Sequence, residues 1–289
     1  MTVIVTGAAG FIGSHLKTQL GLTKSVICCD PASDEMMEPH ICLNTLQDKS
    51  LDIECVYHLG AISSTTETDI GKLTENNIKL SAVLMDICIE RGIPLVYASS
   101  ASVYGLGTNG FIEDVQPTPL NYYAISKTVV DMYAQQKIQD NPEAKIFGLR
   151  YFNVYGNGEE HKQDMASPVH KFLNQARHNG QIKVFEGSDS FLRDFVHVSD
   201  VVSMTIAASE FAVPGIYNVG TGISRSFQDV ASIVAKLTGA SIKEVDFPAH
   251  LKGKYQAFTQ SDNTKINFNG YAQPRLALEE GIAEVFNGS

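Results

Sequence analysis

The sequence predicts an α/β fold, a doubly wound parallel sheet followed by a smaller C-terminal α/β lobe. Three observations predict it. An apolar run (Val3, Ile4, Val5), a glycine-rich turn (residues 6–13, TGAAGFIG) and the start of an amphipathic helix succeed one another at the head of the chain. Strand-like and helix-like stretches then alternate as far as residue 149, the signature of a parallel sheet. Beyond that point the pattern changes to a polar, glycine-containing segment and shorter elements, with no flexible linker between the two regimes. The expected division is therefore residues 1–152 and 153–289, with some strands and helices of the second part interleaved with the first.

In order, residues 25–29 read as a second parallel strand ending in Asp30, and the polar, acidic stretch 31–39 reads as a loop. Residues 40–43 suggest a short third strand, and 54–59 (ECVYHL) a buried one that empties into the hydroxyl-rich loop ISSTTETD. From 72 to 91 the apolar residues Leu80, Val83, Leu84, Ile87 and Cys88 fall on one helical face, with Asn76 and Asn77 near its start as surface residues of which one could reach a ligand. A strand at 95–98 leads into SSASVYG, a helix at 121–138 carries Tyr123 and Lys127, and 146–149 is a sixth strand. In the second half, helices are expected at 168–178, 200–210, 227–237 and 276–286, and strands at 182–185, 195–198, 216–219 and 245–247.

With 44% hydrophobic and 19% charged residues the 289-residue chain has the composition of an ordinary soluble globule. A formal net charge of −10, with Lys and Arg scattered, argues against a nucleic-acid surface. No apolar run is long enough to span a bilayer and no leader is visible before the first strand, so a cytoplasmic location with no membrane partner is expected. Cys28, Cys29, Cys42, Cys55 and Cys88 lack zinc-ligand spacing and are odd in number, so they read as reduced core residues and no metal is expected.

The chemistry is concentrated in three places. In the glycine turn, Gly7 would allow the tight exit from the strand, Gly10 the approach of backbone N–H groups to a pyrophosphate, and Gly13 close helix packing. The helix N-terminus adds partial positive charge. Asp30, at the end of the second strand, is placed to bond adenosine ribose hydroxyls. The second place is Tyr123-x-x-x-Lys127. Four residues apart on a helix, both side chains share a face, and the ammonium would pull the phenol's pKa from roughly 10 towards neutrality, making Tyr123 a usable acid or base. The third is Ser100, able to orient a substrate hydroxyl, with Ser99 and Ser102 equally possible on chemistry alone. A surface tyrosine and a solvated lysine would be the plainer reading of the pair in isolation. The three features together, in this order, match a hydride-transfer enzyme.

TGAAGFIG, SSASVYG and YAISK resemble the extended short-chain dehydrogenase/reductase family, whose members epimerise, dehydrate or reduce nucleotide sugars, and the resemblance covers essentially the whole chain. It implies a Rossmann cofactor domain followed by a nucleotide-sugar lobe, with Ser100, Tyr123 and Lys127 in the catalytic positions. RYFNVYG with EEHKQDMAS, FEGSDSFLRDFV, and LKGKYQAFTQ are similar to one subgroup, the ADP-L-glycero-D-manno-heptose 6-epimerases. That resemblance implies transient oxidation at C6 of ADP-D-glycero-D-manno-heptose by tightly bound NAD(P) and return of the hydride to the other face, a step of lipopolysaccharide core heptose synthesis. Lys162 would be the second proton-transfer group. Carried over residue by residue, Gly7, Gly10, Phe11, Ile12, Gly13, Asp30, Lys49, Leu59, Gly60, Ala61, Ser63, Asn76, Tyr123, Lys127, Val154 and Lys162 would contact the cofactor. Ser100, Asn153, Asp164, Lys171, Phe185, Glu186, Gly187, Ser188, Arg193 and Tyr255 would contact the nucleotide sugar, Arg193 and Tyr255 at the diphosphate.

The chain departs from the subgroup in places. Gln163-Asp164 stands where a small pair follows HK, and His170-Lys171 leaves open which of the two reaches the substrate. The resemblance implies NADP, whereas Asp34, Glu35 and Glu38 after Asp30 would oppose a 2′-phosphate and favour NAD; Lys49 is the one nearby cation that could offset them. The other readings are a 4-epimerase or dehydratase on a different nucleotide sugar, or a dinucleotide-binding regulator without activity. A dehydratase would want an Asp-Glu pair after Ser100, where this chain has Ala101-Ser102. The resemblance also suggests a homo-oligomer, with a pentamer among the options.

Overall fold

A computed structural model describes residues 1–31, 39–248, 256–269 and 276–288. The first half alternates as expected: β1 (Thr2–Thr6), α1 (Phe11–Gly21), β2 (Ser25–Cys29), α2 (Pro39–Gln47) and β3 (Ile53–His58). A continuous helical stretch follows, made of α3 (Ile70–Leu73), a π-helical turn (Thr74–Lys79) and α4 (Leu80–Arg91). Then come β4 (Leu95–Ser100), a 3-10 turn (Ala101–Tyr104), α5 (Tyr122–Asp140) and β5 (Ile146–Tyr151). The second half contains β6 (Asn153–Tyr155), a 3-10 segment (Glu160–Met165), α6 (Pro168–Asn179), β7 (Gln181–Phe185) and β8 (Leu192–His197). After these lie α7 (Val198–Ala208), β9 (Gly215–Val219), β10 (Ser224–Ser226), α8 (Phe227–Thr238), β11 (Ser241–Val245), α9 (Thr264–Phe268) and α10 (Leu278–Gly288).

Six strands form one parallel sheet in the order β2-β1-β3-β4-β5-β9. The order reverses at β1, so a crevice opens between the carboxyl ends of β1 and β3, the place where open α/β sheets bind ligands. One face is packed by α1 and α7 through Phe11, Leu16, Leu20, Val201, Val202 and Met204. The other is covered by α2, α4 and α5 through Cys42, Leu46, Leu84, Met85, Cys88 and Val130. β9 and α7 thus belong to the first sheet although they follow residue 153. The short sheets β10-β8-β6 and β11-β7 pack with α6, α8 and α10 around Phe172, Ile182, Val230 and Ile282.

Several expectations are corrected. Residues 40–43 lie in a helix, not a strand; Cys42 and Leu46, four apart, are both buried, a spacing that suits one helical face rather than strand alternation. The strand at 146–149 is therefore the fifth. Val83 is exposed, and its expected place in the core is taken by Ser81 and Met85. In the polar, glycine-containing stretch 150–164, Arg150, Tyr151, Phe152, Tyr155 and Glu159 are buried as the chain passes from the large sheet into β6. Cys28, Cys55 and Cys88 are free, and burial pushes the Cys88 thiol up to about 12. Cys29 and Cys42, expected to be reduced, are joined by a disulfide; α2 folds back over the end of β2 and brings their Cα atoms within 6.2 Å. No described helix is long and apolar enough to cross a membrane.

Candidate active site

A cavity of about 580 Å³ occupies the crevice. Its floor is the glycine turn. Gly7 adopts φ +70°, and a Cβ there would run into the backbone of Leu59 and Gly60, so only glycine lets the ends of β1 and β3 close together. Below the turn, Thr6 Oγ1 bonds His58 Nδ1 (2.6 Å) and accepts from the Gly60 N–H (3.1 Å), while His58 Nε2 meets Ser81 Oγ at 2.9 Å. Burial, and then Lys127, push the His58 imidazole down to about 3, so this ring is a neutral strut under the turn. A polar residue closing the apolar run ECVYHL was the signal for it.

The N-terminus of α1 opens into the cavity with no side chain capping it, which leaves its first N–H groups available to an anion. Asp30, 8% exposed at the end of β2, accepts from Ala9 N at 3.0 Å. The loop after β3 is held by Asn77, which is fully buried rather than on the surface. Its Oδ1 accepts from Ile62 N (2.8 Å), and its Nδ2 donates to Ile62 O and Ser126 Oγ (3.0 Å each). Asn76, its neighbour in the π-helical turn, faces the cavity instead; one extra residue per turn re-aims consecutive side chains.

β4 ends in Ser99 and Ser100, and α5, capped by Asn121 accepting from Ala124 N (2.8 Å), brings Tyr123 and Lys127 to the same wall. The Ser100 side chain is near enough to the Tyr123 phenol to pull its pKa down slightly. Lys127 Nζ donates to Ala98 O (2.7 Å). Burial pushes Lys127 down to about 8, against a smaller pull upwards by Asp131. The expected lowering of the Tyr123 pKa is not what this protein state holds: burial raises it, and Ser100 only partly offsets that. The phenol loses more by leaving water than its neighbours return. Ser99 Oγ is buried with no partner among the described residues, and it lines the cavity.

α5 is pinned to the sheet one turn further on. Asp131 accepts from Arg150 Nε (2.9 Å) and from Tyr97 OH (3.0 Å), and Arg150 Nη1 donates to Tyr104 OH (3.0 Å) and Glu113 O (3.1 Å). All four side chains are buried. The 3-10 segment supplies His161 and Lys162 to the lining, and Lys162 Nζ lies 4.6 Å from the centre of the Phe11 ring. The next residue, Gln163, is the one described non-glycine residue with positive φ (+46°), a strained backbone point beside the cavity.

The structure therefore gathers Gly7, Gly10, Phe11, Ile12, Gly13, Asp30, Leu59, Gly60, Ala61, Ser63, Asn76, Ser100, Tyr123, Lys127, Asn153, Val154 and Lys162 around one cavity. Lys49 is elsewhere, exposed and paired with Glu90 at 3.7 Å. Asp164 and Lys171 lie outside the lining, the Lys171 ammonium donating to the Asp164 carbonyl (2.6 Å). Phe185 ends β7, Glu186, Gly187 and Ser188 follow it, and all four lie outside the lining; Ser188 Oγ donates to Gln228 (3.0 Å). Arg193 on β8 donates to Leu192 O (2.9 Å) and to Gln256 O and stands over the Phe227 ring. Tyr255 lies outside the described residues. Sequence reading missed Cys29, Cys42, His161 and Ser167 in the lining, and the roles of His58, Asn77 and Glu159 behind it.

An uncapped helix end, a glycine floor, a buried carboxylate at the strand end and an unpartnered serine fit a dinucleotide with a diphosphate, a ribose and polar ring substituents. Comparison with known proteins agrees. A model of the NAD dependent epimerase/dehydratase family matches residues 3–220. Along 99% of its length the chain is similar to Helicobacter pylori ADP-L-glycero-D-manno-heptose-6-epimerase, with 26% identity, 95% of that chain covered and a TM-score of 0.86. It is similar over the same share to Thermotoga maritima UDP-glucose 4-epimerase, solved with UDP-glucose (26% identity, 98% of that chain, TM-score 0.87). MoeE5, solved in complex with UDP-glucose and NAD, is 28% identical with 98% of its chain covered and a TM-score of 0.81.

Proposed function

The chain belongs to the NAD-dependent epimerase/dehydratase family and is an enzyme of the nucleotide-sugar epimerase kind, and on that premise we propose that it inverts C6 of ADP-D-glycero-D-manno-heptose. The observation that carries this reading is Lys162 lining the same cavity as Ser100, Tyr123 and Lys127. Inversion through a ketone that is reduced from its other face calls for a proton-transfer group on each side, and the cavity offers two. The likeness to the heptose epimerase and the motifs around HKQDMAS, FEGSDSFLRD and LKGKYQAFTQ support the choice of sugar.

When bound, the oxidised nicotinamide accepts a hydride from the sugar carbon and later returns it. Ser100 holds the reacting hydroxyl beside Tyr123, which takes its proton as the C–H hydride departs, leaving a ketone. Lys127, on the same helix face, would supply positive charge to a developing phenolate, against the burial that raises the Tyr123 pKa. Lys162 then donates a proton to the ketone oxygen as the hydride comes back, so the cycle has no net redox change. Asn153 and Val154 line the wall between cofactor and sugar. Arg193, with Phe185, Glu186, Gly187, Ser188 and Tyr255, is assigned to the nucleotide end, and the two lobes are assigned to cofactor and nucleotide sugar. For the cofactor we infer NAD: a buried Asp30 carboxylate where a 2′-phosphate would sit repels it, and Lys49 is turned to Glu90.

The test is proton NMR of incubations with a panel of nucleotide sugars, ADP-D-glycero-D-manno-heptose, UDP-glucose and GDP-mannose among them, without added cofactor. Conversion of the ADP-heptose to its C6 epimer is expected, with Tyr123→Phe slowed by a factor of about 100 or more. Conversion of UDP-glucose alone would overturn the choice of sugar, and full turnover by Tyr123→Phe would overturn the catalytic assignment.

A further inference from the structure

Glu159 is a carboxylate with no solvent exposure that sits just outside the cavity lining. Burying such a charge is costly unless it is fully bonded. Its Oε1 accepts from Gly156 N (3.3 Å) and Ser167 Oγ (2.6 Å), and its Oε2 from Ser167 N (2.7 Å) and Lys162 Nζ (3.0 Å). Three segments are thereby tied to one group: the exit of β6, the 3-10 segment and the N-cap of α6. The Lys162 ammonium, on a side chain 23% exposed, lies between that carboxylate and the face of Phe11. Phe11 opens α1 and is part of the cavity wall, so both contacts of the ammonium are rigid. A lysine in a short loop loses rotamer entropy when held in one place, and these two contacts are what offsets it.

We propose that Glu159 is a positioning residue for the second half of the epimerisation. Resting on the proposed function above, it presents the Lys162 ammonium to the cavity. In the first half the substrate H–C–O–H loses hydride to the nicotinamide and its hydroxyl proton to Tyr123. In the second half the hydride returns to the carbon and the ketone oxygen takes its proton from Lys162 Nζ. Lys162 is reprotonated from solvent through its exposed edge, and Tyr123 returns its proton there, so atoms and electrons balance. Losing Glu159 leaves the first half intact and impairs only the second.

The experiment follows the near-ultraviolet absorbance of reduced nicotinamide in the purified enzyme with its bound cofactor, using the nucleotide sugar from the panel that the wild type turns over. Glu159→Gln keeps an acceptor for Ser167 but turns an amide N–H towards Lys162. The expected result is a persistent reduced-nicotinamide signal, kcat lower by about 100-fold and KM within a few-fold of wild type. Wild-type kcat and no signal in folded Glu159→Gln would overturn the proposal. Should Glu159→Gln not fold, Glu159→Asp decides, a partial signal supporting the proposal and an unchanged kcat overturning it. Lys162→Met is run beside them: full turnover there sinks the Lys162 assignment itself, whereas a signal there but not in Glu159→Gln sinks the Glu159 proposal alone.

Discussion

Replacing Lys127 by Met removes a buried ammonium whose charged form the fold disfavours. Burial pushes the Lys127 pKa from 10.5 to about 8, a difference equivalent to about 3 kcal/mol of free energy. Because the folded pKa is the lower one, the unfolded chain binds the extra proton between about pH 8 and pH 10.5, and stability rises with pH across that window. Below it both states carry the charge and the folded protein bears the whole burial cost; above it both are neutral and the cost is gone. Met does not titrate, so the stability of the wild type relative to Lys127→Met should climb by about 2 kcal/mol between pH 7 and about pH 9.5. The lost bond from Nζ to Ala98 O shifts this difference by a constant and leaves its slope alone. Urea unfolding followed by circular dichroism at several pH values measures it, while turnover should fall by a factor of about 100. A stability difference that stays flat from pH 7 to pH 9.5 would refute the reasoning.

Two other perturbations separate cofactor choice from scaffold. Asp30→Asn should weaken NAD binding and shift the preference towards NADP by about tenfold, roughly 1.4 kcal/mol, as read by titration calorimetry on cofactor-stripped protein; a wild type that already prefers NADP would contradict it. Asp131→Ala leaves the Arg150 guanidinium buried without its carboxylate and should cost about 3–5 kcal/mol in urea unfolding, with a loss of less than about 1 kcal/mol counting against it.

The sequence by itself determined the parallel sheet, the glycine turn, Asp30 at the strand end and the pairing of Tyr123 with Lys127 on one helix face, while Ser100 was separated from Ser99 and Ser102 only by the family resemblance. These are local facts: a period of two or 3.6 residues, a strand that must turn sharply into a helix, a spacing of four on one helix face. It misjudged residues 40–43 because three apolar residues in a row (Ile41, Cys42, Leu43) satisfy either period until a partner surface chooses one. Only tertiary structure decided that β9 joins the first sheet and α7 packs on it, that Cys42 meets Cys29, that Asn77 is buried rather than on the surface, and that His58 braces Thr6 and Ser81. Each depends on contacts between residues far apart in the chain. The same holds for the two pKa directions at the centre of the site. A Tyr-Lys pair four residues apart predicts an acidified phenol, yet burial raises Tyr123 and lowers Lys127, because desolvation is set by how much protein surrounds a group and not by its neighbours in sequence.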